Sequence, residues 1–332
     1  MTPDRRADKP LTGRALWYAA PNIIEIRSET LSTIGEDEVL VRTDFSAISR
    51  GTERLVLQGS VAESEWQRMR APLQQGDFPF PVKYGYCATG TVESGPESLL
   101  DQRVFVLHPH QDVFIAPISM AVAVPPHIPA ARATLAANME TALNAIWDSG
   151  ASPADRIVVV GAGVVGLLVA YLAARLPGAE VVIADINPKR APIAAALGIK
   201  FVAPSAIVGF GADVVFHASA SEAGLASALA ASGFEAAVIE MSWYGKALVN
   251  VPLGDAFHSQ RLRLISSQVG QVAPSHRPRW TYRRRIEAAL RLLADPCLDA
   301  LLGTVIDFND APQRLPDLLN SADGLAPLIR YR

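Results

Sequence analysis

The stretch "RIVVVGAGVVGLL", Arg156 to Leu168, decides the fold. A run of apolar, mostly β-branched residues stops at a glycine, and an apolar helical pattern starts two residues later. Gly161, Gly163 and Gly166 stand in G-x-G-x-x-G spacing between them. Such spacing allows a tight turn, a close approach of backbone to a pyrophosphate and packing of helix on strand, with the helix N-terminus facing the phosphates. A second apolar run, "EVVIAD", ends at Asp185, 19 positions beyond Gly166. A carboxylate there can accept from the hydroxyls of an adenosine ribose and repels a 2′-phosphate, which favours NAD(H) over NADP(H). Lys189 and Arg190 follow closely and could draw such a phosphate.

Outward from this turn, "ADVVFHASA", "EAGLASALAAS", "EAAVIEMSW" and "LRLISSQVG" alternate strand and helix, as a doubly wound parallel sheet requires. Residues 138–268 are assigned to this dinucleotide-binding domain. The preceding "RALWYAA", "NIIEIRSETL", "DEVLVRTDFSAI" and "DQRVFVLHPHQDVFIAP" are short alternating runs bounded by Pro and Gly, so residues 1–137 read as a β-rich domain. Within it, "AESEWQRMRAPLQQGDFPFPVKYGY" is expected to open as a short helix and continue as an extended loop at Pro-Phe-Pro. The helical "ARATLAANMETALNAIWDSG" is expected to stop at Gly150. The last segment, 269–332, reads as a basic helix, a strand "TVIDF" and a further strand at "APLIRYR", returning to the first domain.

The chain of 332 residues is 50% hydrophobic, and its 30 basic and 33 acidic side chains are interspersed, giving a net charge of -3. No field builds up that would attract nucleic acid or a membrane surface, so a small-molecule partner is expected. No apolar run reaches membrane-spanning length and the first residues are charged, which points to a soluble cytoplasmic protein. With two cysteines, Cys87 and Cys297, a site needing three or four thiolates within one chain is excluded.

The motifs "DEVLVRTDFSAISRGTE", "PVKYGYCATGTVESG" and "DRIVVVGAGVVG" resemble the medium-chain dehydrogenase/reductase superfamily, the alcohol dehydrogenase and quinone reductase group. "SRGTE" and "GY" are also similar to the subgroup that contains the bacteriochlorophyllide hydroxyethyl dehydrogenase. The resemblance implies an α/β protein with a GroES-like catalytic domain, a Rossmann domain and a homodimeric assembly. It also implies an oxidoreductase moving a hydride between a nicotinamide and an alcohol or carbonyl compound. Laid on the superfamily's catalytic zinc site, the chain departs from it. The ligand positions fall on Arg50, Tyr86 and Ala137, and "VESGPESLLDQRVFV" runs through the place of the four-cysteine lobe. No metal is therefore expected.

Without a metal, hydrogen-bond donors or cations must stabilise an alkoxide. Thr52 falls on the proton-relay position; alternatively it bonds local backbone. Arg50 could hold an oxyanion or an anionic substrate, or could pair with Glu53. Tyr86 is the acid/base candidate, on the expectation that Arg50 or Lys83 lies close enough to stabilise its phenolate. Lys83 is otherwise expected to face solvent and Tyr84 to be structural. His108 and His110 are expected to be exposed or to line the substrate cleft, and His217 to be structural. Arg277, Arg279, Arg283, Arg284 and Arg285 form either a solvated face or a grip on an anionic group. The cofactor set comprises Gly161, Gly163, Val164, Val165 and Gly166 of the turn, Asp185 and Arg190 after the second strand, and Ser219, Met241 and Ser242 at later strand ends. The alternatives are an NADPH-type quinone or enoyl reductase and a non-catalytic dinucleotide-binding protein.

Overall fold

The structure is a computed structural model that describes residues 11–321 and 323–332. In the first half, β1 (Thr12–Ala20), β2 (Ile23–Thr30), β4 (Gln75–Gly76) and β5 (Val82–Lys83) form a sheet in the order β2-β1-β5-β4. A second sheet takes β3 (Glu38–Ala47), β6 (Ala88–Ser94), β7 (Arg103–Val106), β8 (Val113–Pro117) and β9 (Val122–Ala123). Helix α1 (Arg50–Leu57) leaves the end of β3, while α2 (Ala130–Ala133) and α3 (Ala136–Ser149) lead out of the sheet. Gly150 adopts φ 69 and ends α3, a left-handed conformation that suits glycine.

Six parallel strands follow: β10 (Arg156–Val160), β11 (Glu180–Ala184), β12 (Lys200–Val202), β13 (Ala212–His217), β14 (Ser232–Glu240) and β15 (Arg263–Ser266). Between them run α4 (Val164–Ala173), α5 (Ala191–Ala196) and α6 (Glu222–Ala231). The order β12-β11-β10-β13-β14-β15 is that of a doubly wound sheet, with its topological switch between β10 and β13. Register aligns Val160 with Ala184 and His217, and His217 with Glu240. The residues just beyond this row therefore form one rim, where ligands of such sheets sit.

After α7 (Tyr282–Leu292), β16 (Leu302–Asp307) and α8 (Ala311–Asn320), β17 (Ala326–Arg330) lies antiparallel to β3 with Ile329 opposite Ser46. The last segment thereby completes the first domain's sheet, and one core joins Leu16, Tyr18 and Leu57 to Phe308, Leu315 and Ile329.

Several expectations need correction. The opening of the 62–86 loop forms only a 3-10 turn at Glu63–Glu65 before the chain turns again. Lys83 does not face solvent. It is 1% exposed, because β5 lies against β1 and turns the side chain inward, where Nζ donates to Glu29 Oε2 at 2.7 Å and Gln111 Oε1 at 3.0 Å. The five arginines are not all solvated either. Arg285 is 2% exposed and donates to Glu140 Oε1 at 2.8 Å and Asn144 Oδ1 at 2.7 Å, stitching α7 to α3.

His108 and His110 are buried rather than exposed. The His108 ring stacks on Phe114 with centroids 3.7 Å apart, and burial pushes its pKa down to about 3. An unfolded histidine takes up a proton near pH ~6.5, so His108 stabilises the fold above that value and loses the contribution as pH falls towards 3. Denaturant unfolding at pH 5 should show a loss of roughly 2 kcal/mol relative to pH 7 that His108→Gln removes. An equal loss in the variant would assign the slope to other groups.

Candidate functional site

The rim of the parallel sheet encloses a cavity of about 480 Å³ lined by Gly161, Gly163, Asp185, Arg190, Ser219 and Ser221 among others. The glycines explain its shape. At Gly161, φ 106 carries the chain across β13, and a Cβ there would meet Ser219 N at 2.8 Å. At Gly166 a Cβ would lie 1.9 Å from Gly161 O, so only glycine lets α4 pack under the turn. A Cβ on Gly163 would meet nothing within 4 Å; the open space lies in front of the helix N-terminus, where an anion is favoured. These residues fit a dinucleotide. Asp185 accepts from the amides of Ala162 at 2.6 Å and Asn187 at 2.8 Å, which fixes its carboxylate on the cavity wall with lone pairs to spare.

Val164, Val165 and Met241 do not line this cavity; they pack against the main core. Gly166 acts from beneath the turn. Ser242 stands behind the rim, where its hydroxyl accepts from Ala220 N at 3.1 Å. The cavity also uses Asn187, Ser221 and Gly224, which sequence reading passed over. Ser221 had a legible signal, since its side chain caps α6 by accepting from Gly224 N at 3.1 Å.

The second part of the site lies at the junction of the two domains. Tyr86 is half-buried and borders both large cores, sharing one with Met241 and the other with Trp243. Trp66 and Phe80 of the long loop pack on that second core too, and Lys246 N donates to Ser60 O at 3.1 Å, so the chain after β14 rests on the first domain. Burial raises the Tyr86 phenol well above its ordinary range; the hydroxyls of Ser49 and Thr52 offset this only in part.

The cation expected beside Tyr86 is not there. Lys83 is spent on Glu29, and Arg50 donates to the carbonyls of Ser321 and Gly324. The pair Arg50–Glu53 does not form. Glu53 is fully buried, accepting from Ser49 N at 2.7 Å and Tyr18 OH at 2.6 Å, with His110 Nε2 at 3.0 Å. His110 Nδ1 is 2.7 Å from Ser46 Oγ, which lies 2.9 Å from the Tyr331 hydroxyl. This buried chain ties β1, β3, α1 and the residues after β17 together beneath Thr52 and Tyr86. Glu53→Gln sets an amide N–H against donors that now meet carboxylate oxygens, and should cost about 1–3 kcal/mol in unfolding free energy. Unchanged stability would show that the network is slack.

The zinc-ligand positions of the resembled superfamily do not fit that ion. Arg50 is turned toward the carbonyls of Ser321 and Gly324, Tyr86 keeps its proton, and Ala137, inside α3, has no donor atom. Among the described residues, no three His, Cys, Asp or Glu side chains come together as metal ligands. None of Arg277, Arg279, Arg283, Arg284 and Arg285 lines the cavity.

No family model matches the chain, and no curated protein matches it. Solved structures do. L-idonate 5-dehydrogenase from Escherichia coli superposes with a TM-score of 0.80 at 15% identity, covering 97% of this chain and 99% of the other. An alcohol dehydrogenase from E. coli complexed with NADH gives 0.77 at 15%, covering 96% and 99%. A dehydrogenase from Sinorhizobium meliloti, described as zinc-binding and bound to NADP, gives 0.76 at 17%, covering 97% and 100%. The likeness spans both domains, and the chain has the two-domain fold of these dehydrogenases.

Proposed function

We propose that the chain is an NAD(H)-dependent oxidoreductase that moves a hydride between nicotinamide and an alcohol or carbonyl compound without zinc. The observation that carries this is the glycine-shaped cavity at the rim of the parallel sheet, walled by Asp185; Tyr86, bonded to the Ser49 and Thr52 hydroxyls, borders the two cores that Met241 and Trp243 also border. The bound nicotinamide would supply or accept the hydride. Gly161 and Gly163 bring backbone and the α4 N-terminus to the pyrophosphate, and Asp185 accepts from the adenosine ribose.

Tyr86, held protonated, donates its O–H to the substrate oxygen and stabilises the developing alkoxide, the role a metal or oxyanion hole fills elsewhere. Thr52 and Ser49 orient that hydroxyl and pass on the proton. Trp66, Phe80 and Trp243 supply apolar walls that exclude water. Arg50 lies outside this centre; with Arg190 it holds the Gly324 carbonyl, which places it at the edge of the cofactor cavity. The chain works as a homodimer in this reading, with no nucleic-acid or membrane partner. No helix among the described residues is long and apolar enough to cross a membrane.

The test is consumption of NADH by chelator-treated protein across a panel of aldehydes, ketones and 2-oxo acids. Turnover that survives metal removal is expected. Turnover restored only by one zinc per chain would overturn the metal-free reading, and NADPH-linked reduction of activated double bonds would select the enoyl reductase alternative. Asp185→Ser should narrow the preference for NADH over NADPH about tenfold or more, since an anion beside a 2′-phosphate is then removed. An unchanged ratio would release Asp185 from that role.

A further inference from the structure

His217 and Glu240 occupy neighbouring rungs of β13 and β14 at the rim of the cavity, and together they bind a serine that faces into it. The Glu240 carboxylate lies 2.7 Å from His217 Nδ1, and His217 Nε2 lies 2.7 Å from Ser219 Oγ. The histidine is fully buried.

Each remaining contact locks this arrangement. Glu240 Oε1 accepts from Ser242 N at 2.7 Å, and Oε2 also accepts from the Tyr244 hydroxyl at 3.1 Å. Burial alone would raise the Glu240 carboxyl, but the hydrogen bonds from His217 and Ser242 prevail and hold it below its usual range. Ser242 in turn captures the amide of Ala220, which sits at φ 51, a left-handed conformation uncommon for alanine. The turn that carries Ser219 is thus held by the strand that carries Glu240. Space is tight on the other side, where a Cβ on Gly224 would come within 2.0 Å of Ser219 Oγ.

The proton assignment follows from what each group can do. An ionised carboxylate only accepts, so Nδ1 carries hydrogen and, in the neutral ring, Nε2 accepts. Ser219 has one proton and gives it to Nε2. Ser221 Oγ, 3.0 Å away, accepts from Gly224 N and gives its own proton to Ser219. One lone pair of Ser219 Oγ remains, at the switch point opposite the glycine turn. A neutral acceptor there suits a sugar hydroxyl and does not repel the neighbouring phosphates.

We propose that His217 and Glu240 are positioning residues that hold Ser219 Oγ as an acceptor for a ribose hydroxyl of the dinucleotide. The proposal rests on the dinucleotide reading of the cavity and adds to it a relay that begins at Glu240 on the neighbouring strand.

A double-mutant cycle read by calorimetric titration of the purified chain with NADH tests it. Ser219→Ala and Glu240→Gln should each weaken binding about fivefold, the size of one hydrogen bond, with Ser219→Ala keeping the wild-type melting temperature. The double variant should also be about fivefold weaker and not about 25-fold, because both changes remove the same contact. Should Glu240→Gln fail to fold, His217→Gln takes its place in the cycle. Multiplying effects, or a Glu240 or His217 variant that binds as wild type does, would overturn the proposal while leaving the dinucleotide site standing. Absence of NADH binding by the wild-type chain would overturn both.

Discussion

Gly166→Val is expected to abolish NADH binding, with a loss of at least about 100-fold in affinity. A Cβ at this position would stand 1.9 Å from the carbonyl oxygen of Gly161, and that atom belongs to backbone that cannot swing aside. Relief requires α4 to move away from the turn, which withdraws the helix N-terminus and its amides from the pyrophosphate position. The turn itself is braced on the far side, where Gly161 N donates to Ala184 O at 2.8 Å and Ala162 N to Asp185. Overpacking of this kind costs roughly 1–3 kcal/mol in stability, so the variant should fold with a lowered unfolding midpoint. Calorimetry with NADH and a denaturant titration separate the two effects. A folded Gly166→Val chain that binds NADH as the wild type does would remove the glycine turn from the account.

Tyr86→Phe should lower kcat about 100-fold while NADH affinity stays within about twofold of wild type, the loss being that of one well-placed donor to a developing oxyanion. The phenol keeps its proton because burial disfavours the phenolate, while Arg50 and Lys83 are engaged elsewhere. On the proposed reading it acts as hydrogen-bond donor to the substrate oxygen, and carbonyl reduction should not require a resting phenolate at neutral pH. Stopped-flow reduction of a carbonyl substrate found in the NADH screen would measure the step itself. Undiminished kcat would move the chemistry to Thr52 or elsewhere.

These two positions differ in how far the sequence discloses them. The glycine turn is local: strand, turn, helix and acid follow one another within 30 residues, Arg156 to Asp185, and each constrains the next. Parallel alternation after it is equally local, which is why the doubly wound sheet was legible. The junction is different. Arg50 looked like a charge beside Tyr86 because both fall on ligand positions of the resembled zinc site, yet its partners Ser321 and Gly324 lie more than 270 positions along the chain. Glu53 looked like a local partner for Arg50, whereas its bond to His110 spans 57 positions and forms only when β8's approach to β3 brings that histidine under α1.

The rim shows the same division. Ser219 and Ser242 could be placed at strand ends by pattern alone. The pairing of His217 with Glu240 depends on the register of β13 against β14, which a bulge between Ala212 and Val214 shifts. Alternation of apolar residues gives the strands but not that offset. Buried polar groups need partners, so a histidine in the apolar run "ADVVFHASA" did announce that one existed. It could not say which.

Calorimetric titration of the purified chain with NADH and with NADPH tests the central claim most directly. One NADH site per chain and weaker binding of NADPH are expected, both insensitive to prior treatment with a metal chelator. Binding of neither dinucleotide would contradict the claim.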